Sequence, residues 1–108
     1  MVFTRRLREG IRRGRIRCSI RIWTRCHVKV GNRYRMDEGH IIVESIPPIT
    51  LSEITNDLAR ESGFESVDAL LETASHGRGD HIYLIRFRYL PPGFESFLQQ
   101  SEHPRRRP

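Results

Sequence analysis

Hydrophobic and polar residues alternate most clearly between positions 15 and 23 of the chain. Even-numbered positions there are apolar, and every odd-numbered position is charged, polar or an indole. Because successive residues of a β-strand point to opposite faces, this period of two predicts a strand over residues 15–23. We expect the even face to join the core and the odd face to line up side chains about 6.6 Å apart, twice the strand rise. The predicted core residues are Ile16, Cys18, Ile20 and Ile22, and the predicted outward residues are Arg15, Arg17, Ser19, Arg21 and Trp23.

Three further strands are predicted downstream of this segment. The first two cover residues 32–36 and 40–46, and the polar segment 37–39 between them is typical of a turn. The third covers residues 81–90 and is bounded by Gly-containing and Pro-containing segments. One face of this last strand has four large side chains that we expect in the core, namely Tyr83, Ile85, Phe87 and Tyr89.

Helical spacing is found in three segments. Leu7 and Ile11 lie four residues apart, which predicts a short first helix that ends before Gly14. A second helix is predicted over residues 51–60 and a third over residues 66–75. The last two, with the residues between them, carry six of the thirteen acidic side chains, which we expect to form a solvated negative flank.

The order of these elements indicates one domain of the α+β class. A chain of 108 residues is long enough for a single core. One strong strand, two short strands, a helix pair and a final long strand fit a small mixed β-barrel with helices at one side. We expect the domain to cover residues 1–90, and residues 91–108 to form a partly disordered tail that contains Pro and Arg.

Charge is divided unevenly along the chain. Residues 1–35 hold eleven Arg and one Lys against one acid, whereas residues 36–104 hold four Arg against twelve acids, in a chain of net charge +6. A dense cluster of one sign repels itself, so it indicates a nucleic acid, an anionic membrane surface or the acidic half as its partner. Arg grips phosphate with two parallel hydrogen bonds and stacks on bases, and its predominance over Lys favours nucleic acid.

Composition also excludes several classes of protein. No apolar run approaches the roughly 20 residues of a membrane-spanning helix, and the N-terminus lacks the apolar stretch of a signal peptide, so a cytoplasmic protein without a membrane partner is predicted. Cys18 and Cys26 are too few for a disulfide scaffold and are expected to be free thiols. Cys26 and His27 have no second pair at ligand spacing, so neither a metal site nor a cofactor is predicted.

Residues 14–21, Gly-Arg-Ile-Arg-Cys-Ser-Ile-Arg, resemble the signature Gly-x-Lys-x-x-(Glu or Thr)-x-Arg of the ASCH domain, a branch of the PUA-like superfamily. Three more segments follow in the order of that family. They resemble its turn at residues 28–32, its inter-helix motif at residues 59–64 and its closing strand at residues 82–87. The resemblance extends over about residues 2–90.

The resemblance implies a PUA-like barrel of five or six strands, with a cleft between barrel and helices whose ligand is RNA. Some relatives remove the acetyl group from acetylcytidine with the signature Lys, a hydroxyl and a carboxylate. Here Gly14 and Arg21 match the signature, Ser19 replaces its Thr or Glu, and Ile16 stands where the Lys belongs. Arg is always protonated and cannot act as the missing base, so Ser19 is expected to be a hydrogen-bond donor.

The favoured hypothesis is a module that binds RNA or another single-stranded nucleic acid. Unpaired bases stack on aromatic side chains beside cations, and Trp23 fits either that role or the role of a rim residue under a loop. The predicted contacts are Arg15, Arg17, Ser19, Arg21, Trp23, Lys29, Arg33 and Arg35.

The alternative hypothesis is a hydrolase of the acetylcytidine amidohydrolase or ribonuclease type. Ser19 would attack or donate a proton, Arg21 would hold a carbonyl or phosphate group, and His27 or Glu61 would be the base. The two hypotheses differ in geometry. An enzyme requires Ser19 in a concave pocket within about 3 Å of a base, whereas a binding module requires only an open basic groove.

Overall fold

The computed structural model describes residues 1–74 and 79–93 and has an α+β architecture. The class and the three α-helices expected from the sequence are confirmed. Within the described residues, no helix has both the length and the apolar character needed to cross a membrane. Most of the predicted tail, residues 94–108, lies outside the described part of the chain. In chain order the elements are α1 (Arg5–Arg12), β1 (Cys18–Trp23), β2 (Arg33–Met36), β3 (Gly39–Ser45), a 3-10 turn (Leu51–Glu53), α2 (Asn56–Glu61), α3 (Val67–Ala74) and β4 (His81–Leu90).

The four strands form one antiparallel sheet in the order β1-β4-β3-β2, curled into half a barrel. This differs from the mixed barrel of five or six strands expected above, since residues 1–74 and 79–93 contain four strands. The last strand, β4, lies between β1 and β3 and pairs antiparallel with both. As a result β1 is an edge strand, with one side facing away from the sheet.

Both faces of the sheet are covered by other elements. The N-terminal segment and α1 cover one face, and α2 and α3 cover the other. The predicted core face of β4 is confirmed, because Ile85 and Phe87 are fully buried and Tyr83 and Tyr89 pack beside them. The larger core consists of Phe3, Leu7, Ile11, Val28, Met36, Ile41, Val43, Ile85 and Phe87. The smaller core consists of Cys18, Ile20, Ile54, Ala59, Leu70 and Leu84.

The strand predicted over residues 15–23 begins only at Cys18. Its even face lies in the smaller core, since Cys18 and Ile20 are buried as predicted. The odd side chains predicted to point outward differ in exposure: Arg15 and Arg17 are exposed, whereas Ser19 is only 8% exposed and both Arg21 and Trp23 are half-buried. Alternation along the chain shows that a strand has two different faces, but it does not show that the N-terminal segment packs on the polar one.

The helix predicted over residues 51–60 is interrupted by two extended residues, Ile54 and Thr55. Thr50 and Glu53 form a capping box around the 3-10 turn, after which Ile54 leaves helical geometry at φ −82 and ψ 103. The Ile54 side chain is buried in the smaller core, and Thr55 then caps α2 by accepting a backbone N–H. Two successive helix-capping residues, Thr50 and Thr55, therefore divide a segment that the sequence pattern predicts to be one continuous helix.

Contacts at both ends hold α1 against the rest of the domain. Arg8 and Arg12 both donate to the carboxylate of Asp37, which lies at the start of the turn between β2 and β3. At Gly63, just after α2, φ is +97 and an added Cβ would lie 2.5 Å from the Cδ2 atom of Leu7. A residue without a side chain is therefore needed where α1 meets the turn between α2 and α3.

Candidate functional site

A cavity of about 430 Å³ opens between the N-terminal segment, α1, β1 and α3. Five consecutive residues of β1, from Ser19 to Trp23, contribute to its lining. Because side chains of a strand alternate between faces, such a run can line one cavity only along the edge of the strand. The cavity therefore lies at the free edge of β1, and we call it the edge cavity.

The main chain of β1 offers hydrogen-bonding groups to the edge cavity. The carbonyl of Arg17 accepts from the N–H of Phe87 at 3.0 Å, which sets the pairing of β1 with β4. In an antiparallel ladder the hydrogen-bonded positions alternate, so the odd residues of β1 bond to β4. The N–H and C=O groups of Ile20 and Ile22 consequently point away from β4, toward the free edge that the cavity follows.

Arg21 places a half-buried cation in the edge cavity. Its Nε donates to Ser19 Oγ at 2.8 Å, and its Nη2 donates to the carbonyl of Val2 at 2.7 Å. Its guanidinium carbon lies 5.1 Å from the ring centroid of Phe3. No carboxylate of the described residues lies within 4.0 Å of this guanidinium. Burial lowers the pKa of Arg21 from its ordinary value, yet an Arg side chain stays protonated at neutral pH.

Ser19 lies in a concave cavity, as an enzyme would require, but its neighbour there is a cation and not a base. Its hydroxyl oxygen accepts the hydrogen bond from Arg21. Among the described residues, the lining of the edge cavity includes no His, Asp, Glu or Lys. The group that would activate Ser19 is therefore not brought to it by the described residues.

The two predicted bases lie elsewhere. Glu61 lines a different depression, together with Cys18, whose side chain is on the opposite face of β1 from Ser19. His27 stacks on Trp23 with ring centroids 4.5 Å apart and planes 6° from parallel, and it does not line the edge cavity. The predicted catalytic set of Ser19, Arg21, Glu61 and His27 is not assembled.

Aromatic and hydroxyl side chains complete the edge cavity. Trp23 lines it while also packing on Tyr83, with ring centroids 5.8 Å apart. Across from β1, Arg6 holds its guanidinium carbon 5.1 Å above the ring of Phe64. Four polar or aromatic residues of this site were not assigned by the sequence analysis, namely Thr4, Arg6, Phe64 and Thr73. For Phe64 the inter-helix motif was an available signal, whereas Arg6 is one of many Arg and the two Thr have no distinguishing pattern.

The remaining predicted cations do not form one track with Arg21. Arg15 and Arg17 precede β1 and line a separate depression of about 260 Å³. Lys29 lies in the segment before β2, and Arg33 and Arg35 lie on β2, at the opposite edge of the sheet from β1. The continuous basic row expected from the sequence is thus divided among three places.

The separate depression, which we call the second depression, combines charges of both signs. Its lining consists of Arg15, Arg17, Cys18, Glu44, Glu61 and Arg86. Burial, opposed by Arg86 and supported by Glu61, raises the pKa of the Cys18 thiol to about 11. Cys18 is therefore a neutral thiol at physiological pH. In residues 1–74 and 79–93, no three His, Cys, Asp or Glu side chains are grouped so that they could hold a metal ion.

Comparison of the chain with protein-family models, with curated proteins and with solved structures gives no match. What defines the protein is therefore its own architecture. It has a curled antiparallel half-barrel of four strands, three helices and a cavity at a strand edge that contains a half-buried Arg. The residues of this cavity are the basis for a functional assignment.

Proposed function

We propose that this chain is an RNA-binding protein of the ASCH type with a PUA-like fold, and that its edge cavity holds one unpaired nucleotide of a single strand. The observation that carries the proposal is the guanidinium of Arg21. It is half-buried in the cavity, and no described carboxylate compensates its charge. An anionic ligand would neutralise the charge of this guanidinium.

The magnitude of this effect favours an anion over a neutral ligand. Removing a charge from water costs several kcal/mol unless a partner and hydrogen bonds compensate it. A guanidinium has five N–H donors, and two of those of Arg21 are used by Ser19 and Val2. The remaining donors suit the oxygens of a phosphate group, which accept parallel hydrogen bonds from one Arg.

The rest of the edge cavity suits a nucleobase. Its volume of about 430 Å³ is that of a typical small-molecule site. Trp23 and Phe64 line it with aromatic rings, each with one face already covered, by His27 and by Arg6, so a base would stack on the opposite face. The main-chain groups of Ile20 and Ile22 at the free edge offer donors and acceptors to the polar rim of a base.

The resemblance to the ASCH signature supports the same assignment. Ser19 and Arg21, which align with the end of the signature, both line the edge cavity. Ile16, at the position of the signature Lys, packs instead against Gly10 and Gly63, where its side-chain atoms occupy the space beside both glycines. The departure from the signature thus removes the basic side chain that hydrolysis would use and retains the groups that would bind RNA.

Fluorescence anisotropy with a labelled single-stranded RNA tests the proposal. We expect Arg21→Ala to weaken binding by about ten- to a hundredfold, because hydrogen bonds to charged groups contribute roughly 1.5–3 kcal/mol. The matched control is Arg60→Ala, which also removes one positive charge but from an exposed ion pair with Asp57 that lines neither depression. Equal affinities for the two variants would show that the cavity does not bind RNA.

A further inference from the structure

We propose that the second depression is a separate binding site for one phosphodiester of the RNA backbone, on the other side of β1 from the nucleotide in the edge cavity. This inference rests on the proposed function, since it adds a second contact for the same strand. It assigns a role to Arg86, which the sequence does not distinguish from other cations. It also assigns Arg15 and Arg17 to a different site from Arg21.

Three guanidinium groups line this one depression. Arg86 is the β4 partner of Cys18, and Arg15 and Arg17 lie just before the first residue of β1. All three Arg residues are exposed. Within the described part of the chain, no carboxylate lies within 4.0 Å of any of them. Three such guanidinium groups around one depression form a site suited to a phosphate group, which each can hold with parallel hydrogen bonds.

A β-bulge contributes one of the two acidic residues of the site. Val43 is the partner of Phe87, and Ser45 is the partner of Arg86, so Glu44 is an extra residue in β3. Its carboxylate pairs with Arg88 at 3.4 Å while the side chain lines the second depression. Bulges redirect side chains and are common beside functional sites. The bulge at Glu44 is therefore consistent with a binding role for the second depression.

The charge of the second depression selects the kind of phosphate. Three Arg and two Glu line it, and the neutral thiol of Cys18 adds no charge, so one positive charge remains. A phosphodiester carries one negative charge, whereas a free or terminal phosphate carries nearly two at neutral pH. Glu44 is already paired with Arg88, but no described cation lies within 4.0 Å of Glu61, which would repel the additional charge. The site therefore matches the backbone of a strand better than inorganic phosphate or a strand end.

The two sites are adjacent along the chain. Cys18 lines the second depression and Ser19 lines the edge cavity, and neighbouring residues of a strand point to opposite faces. A mononucleotide can occupy only one of the two sites, whereas a strand that engages both gains affinity from the second contact. Dependence on ligand length is therefore the specific consequence of the proposal.

The test compares two ligands by anisotropy, a labelled nucleoside monophosphate and a single-stranded RNA of about ten nucleotides. For the double variant Arg17→Ala with Arg86→Ala, we expect about tenfold weaker binding of the RNA and unchanged binding of the mononucleotide. We also expect the slope of log affinity against log salt to fall by about one for each phosphate interaction that the substitutions remove. Arg60→Ala is the control for charge loss, and circular dichroism verifies the fold of each variant.

The outcomes separate this inference from the proposed function. If the double variant binds RNA with wild-type affinity and Arg21→Ala binds it weakly, the second site is overturned. The proposal that the edge cavity binds a nucleotide is then retained. Wild-type affinity of both variants would overturn both proposals. Equal weakening of mononucleotide and RNA would also contradict the second site, because its loss should affect only the longer ligand.

A third variant tests the charge argument. Glu61→Gln raises the charge of the second depression by one, and we expect it to strengthen RNA binding about threefold through the loss of one repulsive charge. It should also allow inorganic phosphate to compete with RNA more effectively than it does for the wild-type protein. Unchanged or weaker RNA binding by Glu61→Gln, or strong competition by inorganic phosphate in the wild-type protein, would show that the site does not favour a phosphodiester.

Discussion

Arg21 Nε donates a hydrogen bond to Ser19 Oγ at 2.8 Å, and this pair organises the edge cavity. The two residues are separated by one position on β1, so their side chains lie on the same face. Because the Ser19 oxygen accepts from a cation, its hydroxyl proton is free to be donated to a ligand. Ser19 thereby orients the guanidinium and adds a donor beside it, which are functions in binding and not in nucleophilic attack.

Ser19→Ala should weaken RNA binding several-fold while leaving its salt dependence unchanged. The substitution removes one hydrogen bond to Arg21, which contributes on the order of 1–2 kcal/mol, but it retains the charge that attracts phosphate. Anisotropy titrations over a range of salt concentrations measure both quantities. A reduced salt slope in Ser19→Ala would contradict the role of Ser19 as an orienting residue, since only loss of a charged group should change that slope.

The unmodified chain should release no acetate from acetylcytidine above the uncatalysed rate. A positioned general base contributes about a hundred- to ten-thousandfold to such a reaction, and no described base lines the edge cavity. The double variant Ile16→Lys with Ser19→Thr restores both signature residues, and we expect it to remain inactive because Ile16 does not line the cavity. Chromatographic detection of released cytidine measures the deacetylation rate of both proteins. Deacetylation by the wild-type chain that Ser19→Ala abolishes would establish Ser19 as the nucleophile.

Stability should decrease above pH 9 because of Cys18. Burial raises the thiol pKa from 9.0 to about 11, so the fold favours the neutral form. The stabilisation is complete below the unfolded-state pKa and is lost as the pH rises toward about 11, by on the order of 2–3 kcal/mol in total. Urea unfolding at neutral and alkaline pH measures this loss. Cys18→Ala is the control for every other group that loses a proton at alkaline pH. Equal pH dependence in both proteins would contradict the assignment to Cys18.

Gly63→Ala should destabilise the fold more than Gly31→Ala does. Both glycines have positive φ, +97 and +87, but an added Cβ at Gly63 would lie 2.5 Å from Leu7 whereas Gly31 has no atom within 4 Å. The backbone strain of about 1–3 kcal/mol is common to both variants, so the difference in the free energy of unfolding reports the contact of α1 with the α2–α3 turn. Thermal and urea unfolding provide the measurement. Equal destabilisation would mean that Leu7 can move aside without cost.

The positions of most secondary-structure elements follow from the sequence. Periodicity of two identifies β1 and β4, and spacing of four residues identifies α1. Gly14, predicted to follow the first helix, has φ +76 and ends it as expected. These features depend on residues within a few positions of each other, and for that reason local patterns are enough to predict them.

The covering of β1, in contrast, depends on tertiary packing. Alternation from residue 15 to residue 23 has the same appearance whether the polar face meets water or the N-terminal segment. In the fold Val2 and Phe3 of the N-terminal segment contact Arg21, which is half-buried, while Arg15 and Arg17, in the same sequence pattern, belong to another depression. Burial depends on which distant segments pack together, and the local pattern contains no information about that packing.

The grouping of the candidate site residues also depends on long-range pairing. The sequence analysis put Glu61 and His27 beside Ser19 because all three fit a catalytic role, yet Glu61 lies with Arg86 on the other face of the sheet. Local spacing and composition establish most of the helices and strands, although not their exact bounds. Which side chains share a site follows instead from the antiparallel pairing of β1 with β4, because that pairing joins residues more than fifty positions apart.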